Sequence, residues 1–84
     1  MNTETKLLKL VMFKEFIKMR LVNTVEVSEN RDPSGWVVSI GTELHGAVYY
    51  LERQRGGCRV FKDLETLVAT LRRAGVATVT LRLS

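Results

Sequence analysis

The stretch that decides the fold begins at Gly35-Trp36-Val37-Val38-Ser39-Ile40 and ends at Asp63-Leu64-Glu65-Thr66-Leu67-Val68-Ala69. Its first segment places Trp36, Val38 and Ile40 on one side, the alternation that is typical of a half-buried strand. Residues 47–53 predict the next strand, and Gly56-Gly57 predicts a tight turn onto residues 58–61. The stretch therefore predicts three successive antiparallel strands followed by a helix.

The helix is predicted over residues 64–74 because both of its ends carry capping signals. Asp63 is a favourable N-cap, and Gly75 stands where a left-handed C-terminal cap is expected. Arg72 and Arg73 occupy the last turn, where the helix dipole favours cations. One apolar stripe is expected to pack on the sheet, and it consists of Leu64, Leu67, Val68 and Leu71.

The flanking segments extend this core in both directions. Residues 4–16 favour a helix that is apolar nearly all round, which indicates burial on more than one side. From Ile17 the apolar period changes to two, and a strand is predicted over residues 21–29, followed by a loop at 30–35. Alternating apolar residues at 77–83 predict a final strand. Whether residues 4–20 form a helix, a strand or an interface arm is left open by these patterns.

The predicted fold class is α+β, with an N-terminal helix, a four-stranded and mostly antiparallel meander, one packed helix and a C-terminal strand. The 84 residues predict a single domain, in which residues 1–20 are a helical segment or arm and residues 21–84 are the sheet-plus-helix core. So short a chain buries little surface, so we predict a homodimer. The predicted dimer interface consists of Leu7, Leu10, Val11 and Phe13.

Composition limits the chemistry that the chain is expected to perform. The formal net charge of +4 favours an acidic partner such as nucleic acid. The single Cys58 and the single His45 predict no disulfide, no metal site and no cofactor. An apolar run at residues 7–13 is interrupted by Lys9 and is too short to span a membrane. We therefore expect a soluble, cytoplasmic protein without a membrane partner.

Most of the basic residues fall into two groups, and neither group lies beside residues arranged for catalysis. The candidate nucleic-acid-binding residues flank the Gly-Gly turn, and they are Arg53, Arg55, Arg59 and Lys62. The second group lies in the N-terminal segment. We predict no catalytic residues and no small-molecule substrate, because Asp63 and Glu65 are accounted for by helix capping. The sheet face opposite the helix is expected to be polar, with Thr24, Glu26, Ser28, Val37, Ser39, Val48, Tyr50, Thr78, Thr80 and Arg82.

The second half of the chain also resembles a known protein group. The pattern runs from Gly35-Trp36-x-Val38-x-Ile40 through Tyr50-Leu51 and Arg55-Gly56-Gly57-x-Arg59-x-Phe61-Lys62-x-Leu64-Glu65-Thr66 to Leu71-x-x-x-Gly75. It resembles small plasmid-encoded accessory proteins of the ParC-like, partition-associated group over residues 35–83. The resemblance implies a role in plasmid maintenance, through contacts with proteins or DNA and without catalytic residues. The order of strands, Phe and helix is also similar to the arm-binding domains of phage integrases, whose sheet face contacts DNA.

These observations lead to three functional hypotheses. The first is a non-enzymatic accessory or regulatory protein of a mobile element, which acts by binding another protein, DNA or both. The second is a DNA-binding module that uses either the basic β-hairpin or the sheet face with Tyr50, Thr80 and Arg82. The third is a small inhibitor of a host enzyme or defence complex. The sequence does not identify the partner.

Overall fold

The computed structural model describes residues 6–83, which form one mixed sheet covered by two helices. The elements are β1 (Lys6–Leu8), α1 (Leu10–Lys18), β2 (Val22–Arg31), β3 (Ser34–Thr42), β4 (Val48–Leu51), α2 (Leu64–Ala74) and β5 (Thr80–Arg82). The sheet has five strands in the order β1-β4-β3-β2-β5. The α+β class, the helix near the N-terminus and the C-terminal strand are as predicted.

Strand direction differs from the predicted mostly antiparallel meander. β3 is antiparallel to both β2 and β4, but β1 pairs with β4 in parallel and β5 pairs with β2 in parallel. Four strands therefore run one way and β3 alone runs the other way. Parallel neighbours require a crossover. Here α1 carries the chain from β1 to β2, and α2 carries it from β4 to β5.

Both helices pack on the same face of the sheet and close one apolar core. Phe13 and Phe16 from α1 meet Leu67, Leu71 and Ala74 from α2 over the central strands. The sheet contributes the side chains that alternation predicts, including Val25, Val27, Trp36, Val38, Ile40, Tyr49 and Leu51. The ring of Phe16 meets Tyr49 edge-on at 5.9 Å between centroids.

The caps of α2 are as predicted, but one member of its apolar stripe is not. Asp63 accepts a hydrogen bond from the Thr66 amide at 2.8 Å, and Gly75 adopts a left-handed φ of 103°. Val68 stays 38% exposed, whereas Ala74 is buried. The helix faces only the sheet and α1, so its buried stripe is narrower than the predicted one.

The N-terminal segment contains a strand that the sequence pattern did not separate from the helix. A single helix was predicted over residues 4–16; residues 4 and 5 lie outside the described part, and Lys6–Leu8 pairs with Tyr49–Leu51 instead. α1 then continues through Ile17 to Lys18, where a change of period was expected. Leu7 and Leu8 belong to a strand, and this explains why the apolar residues surrounded the predicted helical wheel.

Three predicted strands are shorter than the patterns indicated, whereas β2 and β3 are longer. The strand predicted over residues 47–53 is β4, which covers only Val48–Leu51. Residues 58–61 form only two isolated bridges, Cys58 with Glu52 and Phe61 with Trp36. The segment leaves β4 after the first bridge and pairs with the start of β3, which β4 does not cover. The predicted strand at 77–83 pairs only at Thr80–Arg82. β2 and β3 extend into the predicted loop and leave only Asp32 and Pro33 between Arg31 and Ser34. Within residues 6–83, neither helix has the length and apolar character that a membrane span needs.

Candidate nucleic-acid interface

The four predicted binding residues lie on a tight turn that follows β4 and on the strand-like segment that returns from it. The Arg53 amide donates to the Gly57 carbonyl at 2.9 Å, and the Gly56 amide donates to the Arg53 carbonyl at 3.2 Å. Gly56 and Gly57 have φ values of 85° and 81°, which L side chains rarely adopt. The paired glycines thus allow the reversal that the sequence predicted.

Two of the four cationic side chains are held by local contacts, and the other two are exposed and form no ion pair with another residue of 6–83. The Nε of Arg53 donates to the Gly56 carbonyl at 2.9 Å. The Arg59 guanidinium stacks over the Phe61 ring at 4.6 Å from its centroid. Arg55 at the tip and Lys62 at the base are exposed. The turn therefore combines two restrained guanidinium groups with two exposed cations.

The returning segment is clamped to the sheet, so the hairpin is not a loose loop. The Arg59 amide donates to the Leu51 carbonyl at 2.7 Å. Trp36 and Phe61 exchange two backbone hydrogen bonds of 2.7 and 2.8 Å. A Cβ on Gly35 would collide with the Phe61 carbonyl oxygen and would lie 2.7 Å from a methyl group of Val60. The absence of a side chain at Gly35 lets the hairpin base close on β3.

The fold adds a fifth cation, Lys9, that sequence reasoning did not place with the others. Leu8 is opposite Leu51 in the β1–β4 ladder, and the Glu52 amide donates to the Leu8 carbonyl at 2.9 Å. Lys9 therefore directly adjoins the start of the hairpin. The parallel β1–β4 pairing brings Lys9 close to the hairpin. The sequence pattern had placed Lys9 in the interior of a helix, where this proximity could not be foreseen. We call Lys9, Arg53, Arg55, Arg59 and Lys62 the basic end.

Both helices start at the basic end, but their first turns differ in charge. α1 begins after Lys9, whose side chain makes no capping hydrogen bond, and its first turn contains no acidic residue to neutralise the helix dipole. α2 begins after Asp63, whose pKa is lowered by the hydrogen bond from the Thr66 amide. That carboxylate is committed to the cap of its own helix.

The charge of the basic end remains positive after its acids are counted. Segment 52–63 contains four of the five bases and two acids, Glu52 and Asp63, and Glu65 adds a third acid in the first turn of α2, so with Lys9 the excess is 5 − 3 = 2 positive charges. On the next strands, Arg31 and Asp32 cancel, and Glu29 lies opposite Trp36. The ion pairs found in residues 6–83 are Lys18 with Glu15 and Arg82 with Glu26, and both lie outside the basic end.

The sheet face opposite the helices, which we call the open face, carries nearly all the residues predicted for it. The ladders place Glu26, Ser39, Tyr50 and Thr80 in one row, with Ser28, Val37 and Arg82 in the next. Thr78 is the exception, because it precedes β5 and belongs to no strand. Leu7 joins this face opposite Tyr50. The face borders the hairpin at Cys58, whose thiol has a raised pKa because it is partly buried.

The predicted dimer-interface residues are divided between core and surface. Phe13 is fully buried in the core of its own chain, so it offers no surface to a partner, and its inclusion in the interface was wrong. Leu10 is half-buried against the same core, and Leu7 lies on the open face. Val11 alone is widely exposed, at 72%. A dimer through these residues stays a prediction, and the apolar surface that they offer to a partner is much smaller than the sequence indicated.

The described residues bring no three His, Cys, Asp or Glu side chains together in a group that could hold a metal ion. His45 is exposed in the β3–β4 turn with a φ of 55°. Comparison of the chain with protein-family models, curated proteins and solved structures gives no match.

Proposed function

We propose that this protein is a non-enzymatic binding protein that contacts the phosphate backbone of nucleic acid through its basic end. The observation that carries the proposal is the convergence of Lys9 with Arg53, Arg55, Arg59 and Lys62, which come from two separate segments. These cations form no ion pair with another residue of 6–83, and cations gathered at one end of a protein create a positive potential that attracts an anionic partner.

The geometry of the side chains suits phosphate more than an isolated carboxylate. A guanidinium group presents a planar fork of donors to phosphate oxygens, and nucleic acid offers a dense row of such groups. The restrained Arg53 and Arg59 lose less conformational entropy on binding, while the exposed Arg55 and Lys62 can adjust to the spacing of phosphates. The uncapped first turn of α1 adds backbone N–H donors to the same end.

Phosphate contacts position a protein on nucleic acid without selecting a sequence. The proposal therefore predicts binding that depends strongly on salt and weakly on base sequence. The resemblance to ParC-like, partition-associated proteins supports the biological setting that we propose, which is accessory work in the maintenance of mobile DNA.

The test compares two double variants that remove the same charge from opposite ends of the molecule. Arg55→Gln/Lys62→Gln removes two exposed cations from the basic end, and Arg72→Gln/Arg73→Gln removes two exposed cations from the last turn of α2. Binding of a labelled random-sequence duplex is measured by fluorescence anisotropy across a series of salt concentrations. Trp36 fluorescence confirms that each variant is folded.

The hairpin variant is expected to bind more weakly and to lower the log–log salt slope by about two units, roughly one for each phosphate that is no longer neutralised. The α2 variant should keep most of the wild-type slope. Equal reductions in both variants would mean that net charge alone drives binding. A wild-type protein that does not bind at low salt would overturn the proposal and direct attention to a protein partner on the open face.

A further inference from the structure

The two edges of the sheet differ in how well they are protected from pairing. On the β1 edge, Lys6 places a cation in the strand itself, with its Nζ 5.9 Å from the Tyr49 ring centroid. Lysine on an edge strand discourages a further strand from adding to the sheet. β5 pairs with β2 on one side and contains Arg82, which is already paired with Glu26. Arg82 lies on the face opposite the helices, so among the described residues the helix side of the β5 edge carries no charge, whereas Lys6 lies on the helix side of the β1 edge.

Apolar side chains accompany this open edge. Leu81 lies opposite Val27 on the helix side of the sheet, yet it is 46% exposed. Val79 and Leu83, two positions away on either side, are 40% and 75% exposed. Val68 on the outer side of α2 is also exposed. Val68 and Val79 line the same shallow pocket, and Leu81 and Leu83 follow Val79 at alternate positions, so large apolar side chains continue along an edge that does not require them for solvation.

We propose that β5 pairs antiparallel with β5 of a second copy of this chain, about a two-fold axis at Leu81, and so joins the two five-stranded sheets into one continuous sheet. The order of side chains in residues 79–83 is complementary to itself under that axis. Leu81 meets Leu81 of the second copy, and Val79 meets Leu83 of the second copy. Each row on the helix side thereby pairs apolar residues with apolar residues.

The charges on the open face favour a second copy over an unrelated strand. The same axis sets Arg82 of the second copy opposite Thr80, which lies between it and Glu26 in one row. Glu26 already has the Arg82 of its own chain at 3.8 Å, diagonally across the β2–β5 pair. The Arg82 of the second copy would add another positive charge in the same row as Glu26. No like charges face each other directly, because the arginines are opposite threonines. An arbitrary edge strand would not supply this match at both ends.

The first experiment tests the position of the axis by cross-linking in a Cys58→Ser background, which removes the natural thiol. Directly opposite residues of antiparallel strands have Cα atoms about 4.5–5.5 Å apart, within disulfide range. Leu81→Cys should therefore oxidise readily to a covalent dimer. Leu83→Cys is the control, because the two copies of residue 83 would be four residues out of step, about 13 Å along the strands. Failure of Leu81→Cys to cross-link, or equal cross-linking of both variants, would refute the axis.

The second experiment measures association without a covalent bond, by sedimentation of the wild-type protein, Leu83→Lys and Val11→Lys. Leu83 is too exposed for its replacement to unfold the chain, so a change in mass reports the interface. Leu83→Lys should raise the dimer dissociation constant at least tenfold, and Val11→Lys on α1 should leave it unchanged. Dissociation by Val11→Lys alone would place the interface on α1, and a wild-type protein that stays monomeric at the highest attainable concentration would overturn the proposal.

Discussion

Replacement of Gly35, near the start of β3, by Ala should weaken the attachment of the basic hairpin more than replacement of any turn glycine. The new Cβ would collide with the backbone carbonyl of Phe61, and a backbone atom cannot move aside as the end of a flexible side chain can. The φ of 156° adds a further cost for an L residue. Gly46 is the matched control, because it has a φ of 67° but no atom within 4 Å of the place that a Cβ would occupy.

The magnitude follows from these two contributions. The left-handed φ at Gly46 costs an L residue about 1–2 kcal/mol, and the φ of 156° at Gly35, in a region used almost only by glycine, costs a comparable amount. Gly35→Ala also separates Trp36 from Phe61, which breaks two backbone hydrogen bonds worth about 1 kcal/mol each. The expected loss is therefore about 3–4 kcal/mol for Gly35→Ala and about 1–2 kcal/mol for Gly46→Ala. A domain of this length has a total free energy of unfolding of about 4–13 kcal/mol, so the difference is easily resolved.

Urea unfolding followed by the fluorescence of Trp36 measures both variants, since this is the single tryptophan of the chain and its backbone bonds directly to Phe61. A Gly35→Ala protein as stable as Gly46→Ala would refute the argument that close approach of the backbones closes the hairpin base. The same variant should also bind duplex DNA less tightly, because Arg59 and Lys62 flank the displaced Phe61.

Three further predictions concern the core, a helix cap and the thiol. Phe13→Ala should lower the free energy of unfolding in urea by about 3–5 kcal/mol, because Phe13 is wholly buried. Val11→Ala should lower it by less than about 0.5 kcal/mol, because Val11 is exposed, and equal losses would contradict the assignment of Phe13 to the core. Asp63 has a lowered folded pKa, so its stabilisation is present above its unfolded pKa and is lost as the pH falls through the folded value. Asp63→Asn keeps an amide cap but should remove that part of the acid destabilisation below about pH 4 in urea midpoints measured against pH, and an unchanged acid profile would count against the cap. Partial burial raises the pKa of Cys58, so the folded protein should be alkylated more slowly at neutral pH than the urea-unfolded protein, and equal rates would contradict that environment.

The elements that the sequence predicted well carry their signals within a few neighbouring residues. The caps of α2 depend on Asp63 and Gly75, and the faces of β3 and β4 follow from simple alternation at Trp36 and Tyr49. Each of these features is confirmed in the fold. The candidate hairpin was found for the same reason, since two adjacent glycines are a strong local turn signal.

The features that the sequence did not predict depend on residues far apart in the chain. Lys6–Leu8 has the composition of a helix start, and only its partner at Tyr49–Leu51 makes it a strand. Lys9 reaches the basic end through that same pairing, so no local pattern could assign it there. The parallel direction of β5 likewise results from the crossover that α2 makes, and the alternation at residues 77–83 is the same for either direction.

The two crossovers also determine the order in which the molecule can assemble. β2 and β3 are joined by a two-residue turn and can pair as soon as both are made, whereas β1 must wait for β4, and β5 must reach back past α2 to β2. Contacts between distant segments form late and slow the folding of small domains, because the intervening chain must be ordered first. The central strands should therefore hold their amide protons longest in hydrogen exchange, and both edges should open first. Transient release of β5 would then expose the edge of β2 as well, so the rim of this sheet is the place where two chains could exchange strands as well as align them.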